Sequence, residues 1–418
     1  MNLNKLDLII IDVLATILTY LYNIASAVMI FFLVFPGLCI LISRLIKVKK
    51  PEQQPLKQYD FGTIITAYRN ADIAKPLVES LIRQDYSQHH VYLVADDCDL
   101  GHFDLRDERF TLLRPEQPLH LKAKSIIYAI EHFVRNHEYI IIFDADNLAH
   151  PRFYQTMNLY ANEGYTCIQG QRTAKNLDSM YACADATGEF YKNYVERYLP
   201  PVLGSSSVIS GSGMATETKV YKDYIYGPEI SKGKDLWKKM LQEDKILQNH
   251  LLDRDLKITY AWDAIVYDEK VSTGDAVETQ RSRWLFSYFQ NLRNSSRILL
   301  KGISNLSFNQ FLFGIITIAP PLFILIFISL LLFFIGLLVN PFISLLLLTA
   351  LAIFAAGVLW SLYLSQVPAE IWKALWAMPL FIWRQIKALF KMGNPNKNFK
   401  HSEHKVHVTI DEVLKKQG

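Results

Sequence analysis

Two carboxylates one residue apart, Asp144 and Asp146 in the string FDADN, close an apolar run at residues 139–143. That run (Tyr139, Ile140, Ile141, Ile142, Phe143) is β-branched and aromatic and too short for a helix core, so it reads as a buried strand. Side chains two apart on a strand point the same way, which aims both acids at one spot where the strand emerges. Two hard oxygen donors on one face suit Mg2+ or Mn2+, ions that usually complete their shells with water and phosphate oxygens. A plain acidic turn after a strand has the same spelling, and D-x-D alone does not separate the two.

The neighbouring elements weight the choice. Residues 60–68 (DFGTIITAY) read as a first buried strand with residues 69–72 as its exit loop, residues 76–84 as a helix, and residues 91–95 as a second strand ending in Asp96-Asp97-Cys98-Asp99. Residues 120–132 predict another helix, with Lys122 and Lys124 at its start. Strands alternating with helices argue for a mostly parallel α/β sheet, whose strand exits gather at one edge. Asp96, Asp144 and Asp146 are therefore expected to converge.

Composition narrows the classes. The chain has 418 residues, and its 44 basic residues nearly balance 40 acidic ones, so charge implies no nucleic-acid partner. Four cysteines show no C-x-x-C or metal-ligand spacing; two disulfides are arithmetically possible, and a reduced compartment is favoured. The ends are far more apolar than the middle. Residues 23–46 are long enough to span a bilayer and are followed by Lys47, Lys49 and Lys50, a basic flank that marks a cytoplasmic side. Residues 6–22 carry Asp7 and Asp12 and read as an interfacial helix, an extension of that span, or a short extra one. Residues 311–339 contain no charge and predict a span kinked at Pro320-Pro321, and residues 342–364 cross back. Beyond Pro368, Trp372, Trp376 and Trp383 mixed with Lys373, Arg384, Lys387 and Lys391 suit the membrane interface. The expected domains are a membrane anchor (1–50), a cytoplasmic α/β domain (51–272), interfacial helices (273–307), two transmembrane helices (308–366), and an interfacial helix with a basic cytoplasmic tail (367–418).

The ordered strings TAYRNAD, VADDCD, LKAKS and FDADN resemble the nucleotide-sugar half of the inverting family 2 glycosyltransferases, with their GT-A fold. Two later strings extend the resemblance to about residues 60–291: Gln242-Glu243-Asp244 resembles the family's acidic motif, and Gln280-Arg281-Ser282-Arg283-Trp284 fits the Q-x-x-R-W signature. That signature occurs in the membrane-bound synthases of cellulose, chitin, hyaluronan and poly-N-acetylglucosamine. The resemblance implies a Rossmann-like GT-A domain flanked by transmembrane helices, a nucleotide-sugar donor and Mg2+ or Mn2+. It implies Asp146 as principal metal ligand, with Asp144 on the ribose or a metal-bound water. Ala67, Tyr68 and Asp96, or Asp97 in its place, would surround the base. Lys122 matches a lysine near the nucleotide, although Leu121 stands where the family has glycine.

By the same resemblance Asp244 is the general base that takes the acceptor's proton, with Glu243 orienting it. The sequence by itself also allows an acidic first turn of an amphipathic helix there. Gln280, Arg283 and Trp284 fall at i, i+3, i+4 and share a helix face, suited to stacking a sugar and contacting the diphosphate or acceptor; an interfacial Trp and Arg beside a membrane is the plain alternative. Gly211-Ser212-Gly213 resembles an acceptor-side loop, where glycine permits close approach, with a simple turn as the plain alternative, and Gln169-Gly170-Gln171-Arg172 is expected to continue the site floor. Residues 181–198 suit an amphipathic helix or ordinary core, and His404 resembles a histidine of some family members without a role assigned to it. The expected function is a bacterial inner- or plasma-membrane β-glycosyltransferase adding a hexose or N-acetylhexosamine from a UDP sugar to a cell-surface polysaccharide, with a homo-oligomer or membrane partner supplying any missing channel wall. Two alternatives stand beside it: a single-sugar transferase acting on a lipid or lipid-linked acceptor, and an inactive nucleotide-sugar-binding membrane protein. Loss of activity should have cost an acid, and Asp96, Asp144, Asp146 and Asp244 all remain.

Overall fold

The computed structural model describes residues 5–100, 103–236, 242–390 and 408–417. They form two compact units, one of residues 1–46 and 319–365, the other of residues 47–318 and 366–418. In chain order the helices are α1 (Lys5–Ser43), α2 (Lys75–Ile82), α3 (Lys122–Glu131), α4 (Phe153–Asn162), α5 (Met180–Lys192), α6 (Leu199–Val202), α7 (Thr218–Ile225), α8 (Pro228–Leu236), α9 (Glu243–Asp253), α10 (Gly274–Ser304), α11 (Phe308–Ile318), α12 (Leu322–Val339), α13 (Pro341–Leu364), α14 (Ala369–Ala374), α15 (Met378–Phe390) and α16 (Ile410–Gln417). The strands are β1 (Phe61–Asn70), β2 (His89–Asp99), β3 (Phe110–Leu113), β4 (Tyr139–Asp144), β5 (Leu148–Ala149), β6 (Cys167–Ala174), β7 (Met214–Glu217) and β8 (Ile258–Asp268).

The first unit is a bundle of α1, α12 and α13. Among the described residues three helices are long and apolar enough to cross a membrane: Ile10–Ser43, Leu322–Val339 and Pro341–Leu364. The stretch at residues 6–22 is resolved as an extension, because α1 runs without a break from Lys5 to Ser43. Over residues 10–43 its buried stripe, Tyr22, Ser26, Met29, Leu33 and Ile40, begins at Tyr22. The span expected at residues 311–339 is corrected to two helices. Pro320 and Pro321 together withdraw two backbone donors and turn the preceding residue away from the helical region, so α11 ends at Ile318 instead of bending through. α11 belongs to the second unit, where it packs on α10. A Cβ at Gly314 would meet the Leu299 backbone at 2.6 Å, so the two helices approach as closely as glycine allows.

The second unit is an α/β domain on a sheet of order β3-β2-β1-β4-β7-β6-β8-β5. β3, β2, β1 and β4 are parallel; β7 runs antiparallel to both β4 and β6; β6 and β8 are parallel; and β5 closes the edge antiparallel to β8. The mostly parallel GT-A-like sheet read from the sequence is thus the observed one, with an antiparallel insertion. Alternation along the central strands divides the core. Phe61, Ile65, Val91, Leu93, Tyr139, Ile141 and Phe143 face α2 and α4, while Ile64, Tyr92, Val94, Ile140 and Ile142 face α3, α7 and α9. Register aligns Tyr68 with Asp96 and Thr66 with Asp144, which brings the exits of β2 and β4 to either side of β1. The residues 369–390 pack on this domain through Phe381, buried with Ala184 and Val277, and through Arg384, which reaches Glu278 at 2.9 Å. Trp376 and Trp383 remain exposed. The four cysteines are buried and unpaired.

The start of β2 carries two buried imidazoles. His89 bonds the Tyr86 carbonyl at 2.6 Å, and His90 bonds Thr111 at 2.8 Å. Burial pushes both down to about 4. The unfolded chain, with imidazoles near 6.5, therefore binds more protons between pH 6.5 and 4, and stability falls as pH is lowered through that window. The denaturation midpoint of solubilised protein should reveal a loss of roughly 2 kcal/mol per imidazole between pH 7.5 and pH 5. A flat profile would show that these rings protonate freely in the fold.

Candidate active site

At the carboxyl edge of the parallel strands, three elements meet on one ammonium. Lys122, the first residue of α3, reaches Asp144 of β4 at 2.7 Å, Glu243 of α9 at 3.3 Å and the Gly211 carbonyl at 3.2 Å. A cation in a first helical turn opposes the helix dipole, so this position is held by the acids it meets. Burial alone would depress the ammonium, but Asp144 and Glu243 outweigh it and raise it. Burial also raises Glu243, which Lys122 only partly offsets. Asp244, the next residue, lies against Gly211: a Cβ there would stand 3.4 Å from the Asp244 carboxylate. Lys245 lies 3.6 Å from Asp244 and donates to the Ile209 carbonyl at 2.8 Å. Gly211 and Gly213 have φ of 86° and 62°, conformations that favour glycine, and a Cβ on Gly213 would collide with Val266. The loop is thereby held close to both α9 and β8.

The D-x-D turn is braced from behind. The Asp144 amide donates to Ser212 Oγ at 3.1 Å, Ser212 donates to Asn147, and Asn147 donates to Asp268 at 3.1 Å. Asp268 ends β8 and pairs with Arg172 at 2.6 Å and Lys270 at 3.0 Å. Burial would raise that carboxyl, yet Arg172 and Lys270 bring it down to about 2. Lys175 donates to the Asp146 carbonyl at 3.1 Å, and Gln169 bridges Ser210 and Ser212. Asp146 is buried and Asp144 half-buried. Among the described residues no group of three His, Cys, Asp or Glu side chains is placed to hold a metal ion.

Around Ala67 and Tyr68, three non-glycine residues adopt left-handed backbone: Arg69, Asp97 and His120 with φ of 64°, 54° and 54°. Such strain clusters where ligands bind. Asp96 is buried and accepts the Leu119 and His120 amides, each at 2.7 Å, fixing the approach to α3. Asp97 is half exposed, 3.7 Å from Arg69, and His120 bonds the Tyr68 hydroxyl at 3.1 Å.

Q-x-x-R-W lies on α10, and its most constrained member is one the motif leaves unspecified. Arg281 is buried and paired with Asp185, and its guanidinium lies 4.4 Å from the Trp284 ring centroid. Gln280 Oε1 is buried without a hydrogen-bond partner, burial lowers Arg283, and Trp284 is partly exposed. Among the described residues no hydrogen bond or ion pair joins Gln280 or Trp284 to Asp144, Asp244 or Lys122. His404 lies outside the described residues.

Arg281, Asp268, His120 and Lys175 went unread in the sequence analysis. Asp268 had a legible signal, since the run at residues 264–267 ends in an acid as the run at residues 139–143 does. The others depend on tertiary approach.

A family model, glycosyltransferase like family 2, matches residues 59–287. No curated protein sequence is significantly similar to the chain. Among solved structures, similarity extends to the mannosyltransferase PcManGT from Pyrobaculum calidifontis in complex with GDP-Man and Mn2+, at 13% identity and TM-score 0.47, over 88% of this chain and 99% of that one. S. aureus TarS is similar at 16% identity and TM-score 0.38, over 57% of this chain and 40% of its own. Residues 1–349 of TarS in complex with UDP-GlcNAc match at 14% identity and TM-score 0.36, over 51% of this chain and 59% of that one.

Proposed function

The chain belongs to glycosyltransferase like family 2, and from that premise we propose a membrane-bound, inverting β-glycosyltransferase that moves a hexose or N-acetylhexosamine from a UDP sugar to a growing cell-surface polysaccharide. The observation that supports it most is the meeting of Asp144, Glu243 and Asp244 around Lys122 and the Gly211 loop. One acid of this set, Asp244, is partly exposed, while Glu243 is buried and tied to Lys122.

In this reading Asp244 accepts the proton of the acceptor hydroxyl as its oxygen attacks the anomeric carbon. The carbon–oxygen bond to the diphosphate breaks on the opposite face, the nucleoside diphosphate departs, and configuration inverts. Lys122 holds Asp144 and Glu243 in place through its two ion pairs while this happens. The strained loops of Arg69, Asp97 and His120, with Ala67, Tyr68 and Asp96, frame the nucleoside. Gln280, Arg283 and Trp284 hold the acceptor or diphosphate beside the Gly211-Ser212-Gly213 loop. Two carboxylates with no third protein ligand among the described residues fit a cation that retains water and phosphate oxygens. Asp146 and Asp144 would hold such an ion, Mg2+ or Mn2+, whose charge offsets that of the leaving diphosphate.

A second reading, addition of one sugar to a lipid-linked acceptor, draws support from the three helices among the described residues that are long and apolar enough to span, few to wall a polymer channel. Solubilised protein supplied with Mg2+ or Mn2+ and labelled UDP and GDP sugars separates the two. Chelator-sensitive label in a size-excluded polymer is the expected result, whereas label in one organic-soluble product selects the second reading. Absence of transfer from every donor overturns both.

A further inference from the structure

A set of cations between α5 and α10 takes no part in the reaction steps above. Arg281 pairs with Asp185, Arg197 with Glu189 at 2.7 Å, and Arg172 with Asp268 at 2.6 Å; Lys270 lies between Asp268 at 3.0 Å and Glu189 at 3.6 Å. Four cations thus share three carboxylates. Lys192, the last residue of α5, is a fifth, and it makes no hydrogen bond or ion pair to any described residue. Its ammonium lies 5.7 Å from the centroid of the Trp284 ring, the same ring that the Arg281 guanidinium approaches at 4.4 Å. Burial pulls Lys192 down, Glu196 offsets this in part without pairing, and Arg281 repels it.

Unused donors accompany that excess of charge. The Nε atoms of Arg197 and Arg281, residues only 6% and 9% exposed, are buried with no hydrogen-bond partner, as is Nε of Arg172. A buried donor left unmade costs about 1–3 kcal/mol, and more when it is charged. Gln280 Oε1, on the same helix as Arg281 and Trp284, is an unmet acceptor. The complement of this arrangement is a ligand with an anionic group for the cations, hydroxyls for Gln280, and a flat face for the exposed part of the indole. A saccharide bearing a phosphate or carboxylate has all three.

We propose that Lys192, Arg281 and Trp284 form a subsite for an anionic group, phosphate or carboxylate, carried by the sugar acceptor. This rests on the glycosyltransferase reading and on the acceptor lying at Trp284. The site selects acidic acceptors over neutral ones, with Lys192 as the residue that discriminates.

The test uses full-length protein in neutral detergent and three probes: dodecyl phosphate, dodecyl β-glucoside and UDP. Binding is read as the tryptophan fluorescence change absent from Trp284→Phe. Dodecyl phosphate should bind wild type, weaken at least about tenfold in Lys192→Gln, recover in Lys192→Arg, and weaken with added salt. The glucoside should be indifferent to both substitutions. Equal phosphate affinity in wild type and Lys192→Gln overturns the proposal, as does equal weakening of both alkyl probes. If UDP displaces dodecyl phosphate and itself weakens in Lys192→Gln, the anion is the donor's diphosphate, and the acceptor assignment falls. Labelled-sugar transfer by wild type, measured in parallel, keeps the two readings apart. Transfer with no Lys192 effect removes this subsite alone; no transfer removes the reading beneath it.

Discussion

Asp244→Asn is expected to reduce sugar transfer roughly a thousandfold while nucleotide binding stays intact. The substitution keeps size and leaves an oxygen that accepts hydrogen bonds, but the amide takes no proton at neutral pH. Asp244 sits beside the Gly211 loop with its carboxylate partly exposed, and its contact with Lys245 is a loose 3.6 Å. Little structural free energy therefore rides on its charge, since partly exposed pairs contribute about 0–1 kcal/mol. The comparison with Glu243→Gln is informative. Glu243 is buried, faces Lys122 at 3.3 Å, and its backbone carbonyl accepts the Tyr224 hydroxyl at 2.6 Å. Its substitution should disturb α9 and donor binding together. The checks are initial rates with a labelled donor and nucleotide affinity by calorimetry on each variant. Full transferase activity in Asp244→Asn removes the base assignment. A matching fall in nucleotide affinity would make Asp244 a positioning residue.

Much of this site was legible because strand patterns carry their own punctuation. The apolar runs ending at Asp96 and Asp144 identified two strand exits, and a parallel sheet obliges such exits to share an edge. Lys122 was legible only as a helix start, and its turn towards two acids required the approach of α9 to β4, which pattern does not encode. The proline pair illustrates a different limit. Composition at residues 311–339 reads as one span, yet two adjacent missing donors divide it and assign α11 to the catalytic unit. Arg281 was hidden for a third reason. Its partner Asp185 lies 96 residues away on α5, and the motif around it drew attention to Arg283. Ion pairs between distant helices have no periodic signature, so the buried network of Arg172, Glu189, Asp268 and Lys270 emerges only from the folded chain.

Lys122→Met should produce the largest loss of stability, and a second substitution should return much of it. Removing the ammonium leaves Asp144 and Glu243 facing an apolar side chain, with Asp244 adding further negative charge beside Glu243. Breaking one side of a buried pair costs about 3–5 kcal/mol because the remaining charge is stranded; the partial exposure of Lys122 and Asp144 favours the lower end. For a domain of this size the unfolding temperature should drop by roughly 6–12 °C. Lys122→Met with Glu243→Gln removes the more deeply buried of the two stranded charges, so the double variant should melt above Lys122→Met alone. The coupling energy from the four-member cycle isolates the pair. Transfer should fall in both variants, since neither restores the cation that holds Asp144. Thermal melts of the four proteins decide it: a double variant no more stable than Lys122→Met means that Glu243 is not held by Lys122, and the convergence of α3, β4 and α9 must rest on apolar packing alone.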